Sequence, residues 1–125
     1  MQGPKHHLTW FNDICLDYLR THYDVVIVDT PPQLTTLNSV FCLCLYKGDS
    51  VVIPACAEEF SIVGSKMFLE DILAIRKAYK INSSPKISII LNRFMQTQKT
   101  NLEMLVKMGQ EYGNMLSEVI IRACL

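Results

Sequence analysis

The feature that most constrains this chain is a four-residue β-branched run, Val25-Val26-Ile27-Val28, through which no polar residue alternates. A strand covered on both faces reads that way, as strands do in a parallel sheet. Three more apolar runs follow: Ser50-Val51-Val52-Ile53-Pro54, a second buried strand that its proline is expected to halt, then Ile87 to Leu91, then Val119-Ile120-Ile121. Helical patterns separate them. Phe11, Ile14, Cys15, Tyr18 and Leu19 repeat at the spacing of a half-buried helix. Thr36 to Tyr46 reads as a second helix, closed by Lys47-Gly48-Asp49. Ser61 to Tyr79 is the longest, with Val63, Met67, Leu69, Ile72, Leu73 and Ile75 supplying a broad apolar stripe. After the loop Asn82-Ser83-Ser84-Pro85 and the third run, a last helix is expected at Lys99 to Tyr112, with Gly113-Asn114 as its exit. Strands alternating with helices predict an α/β fold of right-handed β-α-β units on a parallel sheet.

A chain of 125 residues is expected to form one domain. Half its residues are hydrophobic and its 12 basic side chains balance its 12 acidic ones, which is globular composition and excludes a polybasic protein. No apolar run approaches the ~18 residues that cross a bilayer, and the N-terminus lacks the apolar core of a signal peptide. The five cysteines, at 15, 42, 44, 56 and 124, show no Cys-x-x-Cys spacing. They read as buried free thiols of a reducing cytoplasm.

Asp29 sits at the carboxyl end of the first run, where an open parallel sheet binds its ligands. A carboxylate there can hold Mg²⁺ through water while the metal bridges phosphate oxygens. Pro31 and Pro32 then fix the backbone and remove two donors, which makes a stiff loop beside the metal. On local pattern alone, an Asp that caps a helix or steadies a turn is the competing reading.

The segment Tyr23-Asp24-Val25-Val26-Ile27-Val28-Asp29-Thr30-Pro31-Pro32 closely resembles the Walker B segment of the ParA/MinD group of ATPases. The resemblance continues in order through Gly48-Asp49-Ser50-Val51-Val52-Ile53-Pro54, the turn Glu58-Glu59-Phe60-Ser61-Ile62-Val63-Gly64, the run Ile87 to Arg93 and the strand Glu118 to Arg122. It covers roughly residues 8–125 and is closest to ParA/Soj partition proteins. It implies one partial domain over 1–125 with a parallel-sheet P-loop NTPase-like fold of the deviant Walker A type, truncated at both ends. By the same resemblance Asp29 is the Mg²⁺-associated carboxylate, and Thr30, Pro31 and Pro32 form the switch beside the γ-phosphate of ATP. Asn92 would face the adenine, and Arg122 takes the place of an arginine that follows the family's final strand, although Ile121 replaces the usual proline. A helix N-cap or turn role for Asn92 stays open beside this one. The partners implied are a ParB-like protein and nonspecific DNA, with a homodimer or an intact ParA-like protein as pairing alternatives.

The family's glycine-rich phosphate loop, with its two lysines, is absent. The five glycines, at 3, 48, 64, 109 and 113, lie too far apart to form it. That loop supplies the N–H groups and most of the counter-charge that hold phosphates. Without it the chain alone is expected neither to bind ATP well nor to hydrolyse it, and the central strand lacks a neighbour. Two functions therefore compete: an incomplete partition ATPase, and a non-catalytic module that pairs with an intact relative. Of the remaining features, Arg76, Lys77, Lys80 and Lys86 form a basic cluster that reads as a solvated helix end or a DNA contact. His6 and His7 lack a second cluster to complete a metal site, and Met104, Met108 and Met115 read as core packing.

Overall fold

The computed structural model describes residues 11–31, 43, 45–46 and 48–124. Pro32, His6, His7, Cys42, Cys44 and nearly all of the helix expected at Thr36 to Tyr46 lie outside them. A π-helical turn, Phe11–Leu16, leads into α1 (Asp17–His22). Then follow β1 (Ser50–Cys56), α2 (Glu59–Ala78), β2 (Lys86–Phe94), α3 (Lys99–Tyr112) and, after one 3-10 turn, β3 (Leu116–Arg122). The three strands form one sheet in the order β1-β2-β3, with both pairs parallel, so the α/β architecture stands.

β1 and β2 pair in unbroken register from Ser50 opposite Lys86 to Cys56 opposite Asn92. Pro54 does not halt β1, which continues two residues past it. β1 alternates, with Ile53 and Ala55 buried while Val52 and Pro54 are exposed, so only one sheet face is covered among the described residues. That covered face packs against α2 and α3. Its core joins Ile53, Ala55, Ile89 and Leu91 of the sheet to Ile62 of α2 and to Met108 and Tyr112 of α3. The fully buried side chains are Ile72, Ile89, Leu91 and Met108, and truncation to alanine at such sites costs roughly 2–5 kcal/mol. Met104 and Met115 pack against the same cluster, as expected of all three methionines.

Two helices bury a different face from the one their sequence suggests. α2 turns Ile62, Ser65, Leu69, Ile72 and Arg76 inward and leaves Val63, Met67 and Leu73 exposed, because the sheet and α3 cover one flank of its stripe only. In the first helix Leu16 is buried, whereas Ile14 and Tyr18 are exposed. The π-helical turn carries an i→i+5 pattern, which rotates the residues after it away from a 3.6-residue face. The described thiols are free, but Cys15 and Cys56 are half-buried and Cys124 is exposed, so none is the fully buried thiol expected.

The expected first strand is the largest difference. Residues 25–28 pair with no strand among the described residues, and Val25 and Ile27 are 76% and 89% exposed. An extended segment holds its shape through the ladder bonds of a neighbour, and an isolated one has none to offset the entropy of ordering it.

Candidate functional site

Parallel pairing puts the carboxyl ends of β1, β2 and β3 at one end of the sheet, which is where such sheets bind ligands. Asn92 lies there, opposite Cys56, and Arg122 lies there opposite Phe94. The Asn92 Oδ1 accepts a hydrogen bond from the N–H of Arg93 at 3.0 Å. Its oxygen is thus engaged locally, in the manner of a turn residue. Arg93 itself has φ of 55°, the left-handed region that a non-glycine residue seldom enters, and the β2–β3 register shifts between Leu91 and Phe94. The local break turns β2 just where its side chains leave the sheet.

Arg122 helps to line a small cavity of about 320 Å³ together with Phe94, Gln96, Leu102 and Glu118. Neither Gln96 nor Glu118 was singled out from the sequence, since their proximity depends on the β2–β3 register. Ser61 adds a further constraint at this end: its Oγ accepts the N–H of Cys56 at 2.8 Å, tying the last residue of β1 to the first turn of α2.

The other expected residues are elsewhere. Asp29, Thr30 and Pro31 are exposed and belong to no helix or strand. Thr30 lines a larger cleft of about 520 Å³ between the 23–30 segment and the amino-terminal half of β1, bordered by Val26, Val28, Ser50, Val51 and Val52. Asp29, Pro31 and Asn92 line neither cavity, and no residue lines both. The site therefore comes in two separated parts. Among the described residues no three His, Cys, Asp or Glu side chains gather as a metal site.

One contact at the mouth of the larger cleft was not foreseen. Arg20 of α1 donates to both carboxylate oxygens of Asp49, at 2.9 and 2.7 Å, and lies over the Tyr46 ring at 5.1 Å. The hydrogen bond from Arg20 holds the Asp49 carboxyl below its ordinary range, helped by the Tyr46 N–H, which donates to the same carboxylate at 2.8 Å. The two residues stand 29 apart in sequence, a separation at which no local pattern could announce the pair.

The basic cluster is smaller than expected. Arg76 is buried, and its guanidinium donates to the carbonyls of Leu45, at 3.1 Å, and of Ser83. It fastens the end of α2 to two loops, which leaves Lys77, Lys80 and Lys86 as the exposed cations.

Mg·ATP fits poorly to the residues in place. Asp29 is a carboxylate of the right kind, but it stands on an unpaired segment away from Asn92 and Arg122. Gly48, Gly64, Gly109 and Gly113 each have open space where a Cβ would be, so none marks a backbone drawn close around a ligand. The phosphate cradle is missing from this set of residues.

Residues 4–89 match a protein-family model described as an AAA domain. An uncharacterized protein of Methanocaldococcus jannaschii, MJECL24, is 27% identical over 104 residues, which cover 79% of this chain and 37% of that protein. The chain thus spans well under half the length of this curated relative.

Proposed function

We propose a function from one premise: this chain belongs to the AAA-domain family and carries a truncated P-loop NTPase-like α/β fold. It is a portion of a ParA-like DNA-partition ATPase, running from the Walker B segment onward, and alone it neither binds nor hydrolyses ATP to a useful degree. The observation that carries this reading is the segment Tyr23 to Pro32, with Asp29 as the metal-side carboxylate and Thr30, Pro31 and Pro32 as the switch. Asn92 and Arg122, at the carboxyl ends of β2 and β3, are its base-side residues. ATP and Mg²⁺ are the cofactors of the whole protein, a ParB-like protein and nonspecific DNA its partners, and the cytoplasm its compartment. Among the described residues no helix is long and apolar enough to cross a membrane.

Titration of the purified chain with fluorescent ATP and Mg²⁺ tests the incompetence of the isolated piece. No saturable binding in the micromolar range is expected. Micromolar binding that disappears in Asp29→Ala would overturn it. The DNA upstream of Met1 tests the ancestry, because a glycine-rich loop encoded there, in frame or frameshifted, is expected of a piece of an ATPase.

A second reading is favoured by the open cleft beside β1: a non-catalytic module that pairs with an intact relative. A promoter and start site directly before Met1, with no such loop upstream, is the outcome that this reading expects.

A further inference from the structure

The hydrogen bonds of β1 reveal which way its main-chain groups point. The Asp49 carbonyl accepts from the Lys86 N–H at 2.9 Å, so odd-numbered residues at this strand face β2. The N–H and C=O of one residue point to the same side of a strand and those of the next to the other side. Ser50, Val52, Pro54 and Cys56 therefore face away from β2. Pro54 has no N–H, and the Cys56 N–H is taken by Ser61 Oγ. Only the first half of this edge can pair, with Ser50 and Val52 as donors and the carbonyls of Ser50, Val52 and Pro54 as acceptors.

The 520 Å³ cleft opens on that half and no further: its wall on β1 is Ser50, Val51 and Val52. Across it stand Val26, Val28 and Thr30, alternate residues of a segment whose other members point to solvent, as the 41% and 43% exposure of Val26 and Val28 against 76% and 89% for Val25 and Ile27 records. Phe68 of α2 and Leu16 of the first helix add apolar surface. The Arg20–Asp49 pair at the mouth is satisfied within itself. A linear array of backbone donors and acceptors bordered by aliphatic side chains matches one kind of guest.

We propose that this cleft is a docking slot for a single apolar β-strand of a second polypeptide, which pairs parallel to Ser50–Val52 and covers Val26 and Val28. The strand is apolar on both faces because the slot presents apolar side chains around it, and parallel because its host sheet is. Its source is a polypeptide longer than this one: the archaeal relative carries more than half of its length outside the region that matches. The proposal needs the edge and the cleft alone and stands whether or not the nucleotide reading does.

Hydrogen exchange on the full 125-residue chain tests it, with the peptide Lys-Lys-Val-Ile-Val-Val-Ile-Lys-Lys as the probe. Without peptide the Ser50 and Val52 amides should exchange quickly. With saturating peptide they should slow at least tenfold, while the amides linking β2 and β3 stay as they were. A copy of the peptide N-methylated at alternate residues should give no slowing. In Val52→Pro the β2 and β3 amides should stay protected, because the lost donor faces the slot, and the response to peptide should vanish. Three results would overturn the proposal: Ser50 and Val52 already protected without peptide at every protein concentration, which means that the chain closes its own cleft; protection that rises with protein concentration alongside a dimer, which makes a second copy the guest; and amides that exchange at one rate with and without peptide.

Discussion

Arg20 grips Asp49 with two parallel hydrogen bonds, and so clamps the helix before the 25–28 segment to the residue that starts β1. Planar bidentate pairs of this kind lie at the upper end of what exposed ion pairs contribute, about 1 kcal/mol. Arg20→Ala or Asp49→Asn should lower unfolding free energy by about that much, read from urea denaturation at pH 7. The pH dependence has a definite sign. Arg20 holds the folded Asp49 carboxyl below its ordinary value, so its contribution is complete well above the unfolded carboxyl's ~3.9 and fades as pH falls through the lower folded value. The difference between wild type and Asp49→Asn should accordingly shrink toward zero in acid.

The end of α2 is a left-handed cap built on a lysine. The Lys80 N–H donates to the Lys77 carbonyl and the Ile81 N–H to the Arg76 carbonyl, each at 3.0 Å, with φ of Lys80 at 55°. Glycine usually fills this place because the conformation costs a side-chain-bearing residue roughly 1–2 kcal/mol. Lys80→Gly should therefore stabilise the chain, by about 0.5–1 kcal/mol after the added unfolded-state entropy is subtracted. A lower urea midpoint in this variant would contradict the cap.

Arg76 should be intolerant of change. A buried guanidinium bonded to two carbonyls loses both when truncated, and hydrogen bonds to charged groups contribute about 1.5–3 kcal/mol each. Arg76→Met, which keeps much of the buried stem, should cost at least about 2 kcal/mol. Equal stability of Arg76→Met and wild type in thermal melts would show that the bonds matter little.

Tyr112 joins α3 to α2 by donating its hydroxyl to the Ile62 carbonyl at 2.7 Å. Tyr112→Phe should cost about 0.5–1.5 kcal/mol while leaving the ring packed. Burial raises the phenol above its ordinary value of 10.0, so the unfolded chain loses this proton first as pH rises. The stabilisation is present below pH ~10 and declines as pH climbs toward the folded value, and the Phe variant should lack that component of the alkaline decline.

What the sequence disclosed follows from how local its causes are. α3 spans Lys99–Tyr112 as expected, because a glycine at 113 ends it and its stripe of Met104, Leu105, Met108 and Tyr112 keeps one phase. α2 and β2 were placed to within a few residues for the same reason. Val25 to Val28 misled, since the run has the composition of a strand while the described residues offer it no partner, and a strand is a property of pairs. Pro54 misled in the opposite sense: a proline stops a strand only if its missing donor faces a neighbour, and here it faces the edge. At the candidate site, Asn92 and Arg122 reach the carboxyl end of the sheet that the order of runs implied, but the left-handed backbone at Arg93 is set by the β2–β3 register. The Arg20–Asp49 clamp and the inward turn of Arg76 arise from tertiary distance alone.

Pro54 and the Ser61 hydroxyl also decide what an exposed sheet edge cannot become. Endless stacking into fibrils needs six or seven consecutive residues that offer every main-chain group to the next copy. On its open side β1 offers two donors and then stops, so a chain that meets its own kind there has too short a template to propagate.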